Sequence, residues 1–96
     1  MFSIHLLERA EQEVTDAYTW YEARQPGLGE RFLDMVDDYL VMIGSNPYQY
    51  PSRYNNELHV APMKIFPYLV VYWVDEGQEI VFVASLFHTS RKPGKF

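Results

Sequence analysis

The spacing of hydrophobic residues changes along the chain, and each change marks an element. Phe2, Ile4 and Leu6 alternate with Ser3 and His5, which predicts a short strand over Phe2 to Leu7. From about Glu8 to Arg24 the period becomes helical. Ala10, Val14, Ala17 and Tyr21 recur at steps of four, three and four, with Tyr18 widening the stripe. Gln25-Pro26-Gly27 ends that helix, because proline disfavours helix in the residue before it and glycine supplies the turn. A second helix follows over about Leu28 to Ile43, carried by Leu28, Phe32, Val36, Tyr39 and Ile43 and stopped by Gly44-Ser45-Asn46-Pro47. The two helices form an antiparallel hairpin.

Residues 45–57 hold two prolines, three asparagines and three tyrosines (Tyr48, Tyr50, Tyr54), and read as a loop pinned to the body by its rings. Three strands close the pattern. The first runs about Leu58 to Phe66, with Pro62 demoting part of it to an edge or bulge. The second, Leu69 to Val74, is almost wholly apolar, as befits a central strand covered on both faces. Asp75-Glu76-Gly77-Gln78 is a hairpin turn, and the third strand runs about Glu79 to Phe87. The order β-α-α-β-β-β predicts an α+β domain of two layers: a strand, an antiparallel helical hairpin, and a three-stranded, mostly antiparallel sheet. Trp73 and Phe87 are expected in its core, the alternative being an apolar surface for a partner protein.

Composition narrows the function. The 96 residues fit one domain spanning 1–96, and 48% hydrophobic against 22% charged residues suffice for one core. No cysteine is present, so disulfides and thiolate metal sites are excluded. The apolar runs fall short of the roughly 20 residues that span a bilayer. The opening residues lack the basic and long apolar regions of a signal peptide, so a soluble, cytoplasmic protein without membrane association is expected. The net charge is −5. Residues 8–38 carry nine acids and three bases, whereas Arg91, Lys92 and Lys95 stand in the last six residues without an acid. Extended or sequence-specific nucleic-acid binding, which draws on many lysines and arginines, is disfavoured.

Among chemical constellations, His5, His59 and His88 fall on three different strands without metal-ligand spacing, so neither a metal nor a cofactor is expected. Ser85 has no Gly-rich elbow, and Gly27 and Gly29 do not follow a strand. Asp34, Asp37 and Asp38 share the helix face opposite Phe32, Val36 and Tyr39, as a solvated surface does. His88 stands at a strand end, with Arg91 three residues on and Lys64 expected on a neighbouring strand. Such a corner suits a phosphate or an acidic partner, although a strand-capping imidazole beside solvated cations gives the same pattern.

These segments together resemble the RelE/ParE family of toxins from type II toxin–antitoxin modules, also known as plasmid-stabilisation proteins. The resemblance is carried by Trp20-Tyr21-Glu22, Pro26-Gly27-Leu28-Gly29-Glu30-Arg31-Phe32, Asn46-Pro47, Lys64-Ile65-Phe66-Pro67-Tyr68, Val71-Tyr72, and His88 with Arg91 and Pro93. It implies a growth-inhibiting toxin neutralised by a cognate antitoxin. RelE-like members are ribosome-dependent messenger-RNA endonucleases; ParE-like members poison DNA gyrase by binding. Nuclease branches place an arginine where this chain has Leu69 or Val70, and arginines where it has His59-Val60-Ala61. The resemblance therefore implies the ParE-like branch, with no catalysis of its own. Lys64, His88, Arg91 and Lys92 would then be the target-binding residues. In the RNase alternative Lys64, His88 and Arg91 are catalytic candidates; an inactive family member is the third reading.

Overall fold

A computed structural model describes residues 1–53 and 57–90. The elements run β1 (Ser3–Leu6), α1 (Glu8–Arg24), α2 (Leu28–Ser45), β2 (Ser52–Arg53), β3 (Leu58–Pro62), β4 (Tyr68–Asp75) and β5 (Ile80–His88). The sheet has five strands in the order β1-β5-β4-β3-β2. β3, β4 and β5 form its antiparallel centre, as the sequence predicts. β1 lies parallel to β5, from Ser3 opposite Ile80 to Leu6 opposite Val83. The helical hairpin is the start of the long crossover that a parallel pair requires.

Three boundaries differ from expectation. β2 falls inside the predicted loop. Its two residues, flanked by Pro51, show no alternation of their own; they are extended because Ser52 and Arg53 pair with His59 and Leu58 of β3. The strand predicted over Leu58 to Phe66 stops at Pro62, and the chain turns over 63–67. α2 continues through Gly44 to Ser45. Gly44 is there for close approach, not as a stop: the Phe2 N–H donates to its carbonyl at 3.0 Å, and a Cβ would meet the Phe2 oxygen at 3.1 Å. Pro26 and then Gly27, the latter at φ +90°, turn the chain between the helices.

The helices lay their predicted stripes on one sheet face. Ala10, Ala17 and Tyr21 of α1 and Phe32, Val36, Tyr39 and Ile43 of α2 are buried against Ala61, Val70, Tyr72, Val81, Val83 and Leu86. Each buried Val, Ile or Phe contributes on the order of 1.5–3 kcal/mol. At one end Tyr21, Phe32, Phe66 and Tyr68 form an aromatic cluster with centroids 5.0–6.4 Å apart. It fastens the helical hairpin to the turn between β3 and β4.

Trp73 and Phe87 lie outside this helix-facing cluster, Phe87 buried as expected and Trp73 only in part. β4 alternates, so Tyr68, Val70, Tyr72 and Val74 face the helices while Leu69, Val71 and Trp73 face away. Trp73 is half-buried and stacks on Phe82 at 5.3 Å; Phe87, paired with Leu69, is buried. The loop reading holds for its rings. Tyr48 and Tyr50 flank the buried His59, whose Nδ1 lies 2.7 Å from the Tyr50 carbonyl and whose ring stacks on Tyr72 at 5.1 Å. Tyr54 lies outside the described residues. No helix among the described residues is long and apolar enough to cross a membrane.

Candidate functional site

β5 ends at His88, opposite Tyr68, the first residue of β4. The two rings meet edge to face at 4.9 Å. His88 is half-buried, and its Nδ1 accepts the Ser90 N–H at 3.1 Å. A neutral imidazole that accepts at Nδ1 carries its proton on Nε2.

His88 lines a cleft of about 390 Å³ between the end of β5 and α1. Tyr68, Leu86 and Phe87 stand on its sheet side, and Arg9, Glu13, Asp16, Ala17 and Trp20 on its helix side. Arg9, Glu13, Asp16 and Trp20 recur at steps of four, three and four, one residue behind the apolar stripe of the same helix. They form the shoulder of α1 that borders the sheet. The Glu13 and Asp16 carboxylates outnumber the single Arg9 guanidinium, which lies 3.4 Å from Glu13. Gln12 donates to Asp16 at 2.9 Å, and the Arg24 guanidinium sits 4.3 Å over the half-exposed Trp20 ring.

Glu13 reaches furthest into the sheet. Leu7 donates its N–H to the Val83 carbonyl at 3.0 Å, and beyond that point β1 no longer covers the outer edge of β5. A register shift between Val71 and Tyr72 leaves Ala84 as an extra residue in β5. Just past it, one Glu13 oxygen accepts both the Leu86 N–H at 2.9 Å and the Ser85 hydroxyl at 2.8 Å. The carboxylate stands in for the missing strand.

Lys64 does not lie on a strand beside His88, as the sequence suggested. Pro62 ends β3, and Lys64 falls in the turn that follows, exposed and outside the cleft lining. The Tyr39 hydroxyl accepts its backbone N–H at 3.0 Å. Lys64 and His88 nevertheless share one end of the sheet. Thr89 donates both its N–H, at 2.9 Å, and its hydroxyl, at 3.2 Å, to the carbonyl of Pro67 in the same turn. Arg91 and Lys92 lie outside the described residues. Sequence reasoning missed Glu13 and Asp16, although their helical step with Arg9 and Trp20 was a signal for them.

Among the described residues no group of three or more His, Cys, Asp or Glu is placed to hold a metal ion. Asp34, Asp37 and Asp38 are all exposed. A second, apolar groove of about 430 Å³ runs between β1 and α2, lined by Met1, Phe2, Ile4, Asp37, Leu40, Val41 and Gly44. Met1 and Val41 are 84% and 61% exposed there.

Several solved structures share the fold. The chromosomal ParDE toxin–antitoxin system from P. aeruginosa matches at a TM-score of 0.66 and 14% identity, over 92% of this chain and 96% of that one. The isolated E. coli RelE toxin matches at 0.71 and 20% identity, over 96% and 88%. The intact E. coli RelBE toxin–antitoxin complex matches at 0.64 and 19%, over 92% and 96%. No curated protein matches the chain. A family model described as the ParE toxin of the type II toxin–antitoxin system parDE matches residues 4–93, nearly the whole of the sequence. With helical hairpin and mixed sheet agreeing with that match, the chain belongs to the ParE toxin family of type II toxin–antitoxin systems.

Proposed function

We propose that this toxin acts by gripping a protein target such as DNA gyrase, in the cytoplasm, and is silenced by a cognate antitoxin. The observation that carries this reading is the acidic wall opposite His88. Glu13 and Asp16 outnumber Arg9 in the cleft, on a chain whose net charge is −5. Cleaving a phosphodiester draws on several donors converging on developing negative charge. Carboxylates facing the one imidazole in the cleft oppose that charge. Target contact then falls to the sheet end that carries Lys64 and His88, with Arg91 and Lys92 following in sequence. The antitoxin would cover the groove between β1 and α2, where β1 offers an outer strand edge and Met1 and Val41 offer apolar surface.

Expression without antitoxin tests the reading. A gyrase poison gives filamentous cells, DNA damage and lost supercoiling in a purified assay, with translation intact. Cleaved transcripts abolished by His88→Ala would establish the ribosome-dependent nuclease instead. Unimpaired growth would identify an inactive member whose remaining role is complex formation. For the antitoxin surface, Val41→Asp is expected to weaken antitoxin binding at least tenfold while leaving the fold intact.

A further inference from the structure

Ile65 is held in a conformation that its side chain opposes. Its φ is +75°, and the Phe66 N–H donates to the Lys64 carbonyl at 2.8 Å across it. A two-residue hydrogen bond with positive φ at the centre is the rare, strained form of the γ-turn. For a β-branched residue such a φ is a genuine outlier. A second two-residue bond follows at once, from the Tyr68 N–H to the Phe66 carbonyl at 2.8 Å around Pro67, whose ring keeps φ on the ordinary negative side.

The surroundings enforce the strain. Phe66 is locked between Tyr21 and Phe32, at 5.0 and 5.3 Å. Tyr39 holds the Lys64 N–H, and Met63 donates its N–H to the Tyr68 carbonyl at 2.9 Å. With both flanks fixed, Ile65 has no relaxed alternative. Nor does burial offset the cost, because Ile65 is 74% exposed. Glycine or asparagine would suit the backbone, and a polar residue would suit the exposure. Neither turn geometry nor packing accounts for an isoleucine here. Glu79, at φ +56°, is a milder case, being unbranched and polar.

Strain retained at an exposed position points to function. We propose that Ile65 is an apolar anchor, presented by a rigid turn for insertion into a socket on the toxin's protein target. This rests on the target-binding reading above and assigns it a residue. The exposed Lys64 beside it calls for carboxylates at the rim of that socket. An aliphatic tip with one neighbouring cation does not suit nucleic acid, which is gripped through several cations and stacked aromatics. The rigid turn keeps the ordering cost of insertion low.

The test uses the full chain and its antitoxin, comparing wild type with Ile65→Gly, Ile65→Asn and Ile65→Leu. Glycine and asparagine accept positive φ and remove the anchor. Both are expected to keep Tm at or a few degrees above wild type, retain antitoxin affinity within twofold, and lose growth inhibition by at least tenfold in inducer dose. Leucine is expected to retain most of the inhibition. Undiminished toxicity of the glycine and asparagine variants overturns the anchor while leaving target binding standing. Loss of toxicity together with antitoxin binding, or a Tm lowered by more than about 5 °C in both variants, also overturns it, since the turn would then be shaping the fold. A wild-type chain without growth inhibition removes the target-binding reading, and the anchor with it.

Discussion

Glu13 and Ser85 meet at 2.8 Å across 72 positions of chain, and the same carboxylate oxygen takes the Leu86 N–H. The contact closes the stretch of β5 edge that β1 is too short to reach. It also aligns the helix side of the His88 cleft with its sheet side. Ser85 and Leu86 are buried, so Glu13→Ala leaves a hydroxyl and a backbone N–H without this acceptor. The expected cost is about 2–3 kcal/mol, measured as a lower urea midpoint with unchanged m-value. Glu13→Gln, which keeps one carbonyl acceptor, is expected to recover about half. A loss under about 0.5 kcal/mol for the alanine variant would show that water replaces the carboxylate there.

Glu22 does a similar service for α2. The N-terminal residue before that helix, Gly27, has no side chain to cap it, and the two oxygens of Glu22 accept the Gly27 and Gly29 N–H groups at 2.9 and 3.0 Å. A carboxylate at a helix N-terminus also meets the positive end of the dipole. A Cβ at Gly29 would stand 2.9 Å from the Glu22 oxygen and from the Tyr18 ring. Gly29→Ala is therefore expected to destabilise by about 1–2 kcal/mol, despite alanine's better helix propensity of about 1 kcal/mol. In a Glu22→Ala background the added cost should at least halve, a coupling that a double-mutant cycle measures. Independent, additive effects would locate the clash at Tyr18 alone.

The helices were legible because their signals are local. The 10, 14, 17, 21 stripe places α1 and the Pro26-Gly27 stop ends it at Arg24, whereas its start at Glu8, with no side-chain cap, had no signal finer than a turn. β2 was not legible, since two residues carry no period and owe their extension to pairing with β3. Nor was the choice of β5 as the partner of β1, which depends on where the crossover lands. At the site, His88 was legible as a polar residue closing an apolar strand. The step of Arg9, Glu13, Asp16 and Trp20 reads equally well as a solvated shoulder, and only the folded sheet supplies the donors that Glu13 meets. Lys64 was misplaced because Lys64-Ile65-Phe66 continues the look of a strand, while the hydrogen bonding after Pro62 makes it a turn.

Glu79 offers a stabilising change. It ends the hairpin turn between β4 and β5 at φ +56°, exposed, with its backbone N–H donating to the Glu76 carbonyl and its carbonyl accepting from Ser3. Those backbone bonds do not need its side chain. Glu79→Asn or Glu79→Gly is expected to stabilise by about 0.5–1 kcal/mol, read as a Tm increase of several degrees with antitoxin binding unchanged. A lower Tm for both variants would mean that the glutamate side chain holds the turn by a contact of its own.

Tyr72 links the sheet to the loop after α2 and sets an alkaline limit on stability. It is fully buried, and its hydroxyl donates to the Pro47 carbonyl at 2.6 Å. Tyr72→Phe leaves that carbonyl without its donor, at an expected cost of about 1–3 kcal/mol near neutral pH. Burial first, and then the neighbouring Tyr50 phenol, push the Tyr72 hydroxyl well above the usual tyrosine range. The folded protein thus holds this proton more tightly than the unfolded chain, whose tyrosines ionise near pH ~10. The stability contributed is fully present below that pH and is lost as the pH rises towards the folded value. Tyr48 and Tyr50 shift in the same direction, so some alkaline loss remains without Tyr72. Urea midpoints taken between pH 8 and 12 are expected to stay nearly level in the wild type to about pH 10 and to fall beyond it. In Tyr72→Phe they should start lower and fall less. Parallel curves for the two proteins would assign the alkaline loss to other tyrosines and leave Tyr72 only its hydrogen bond.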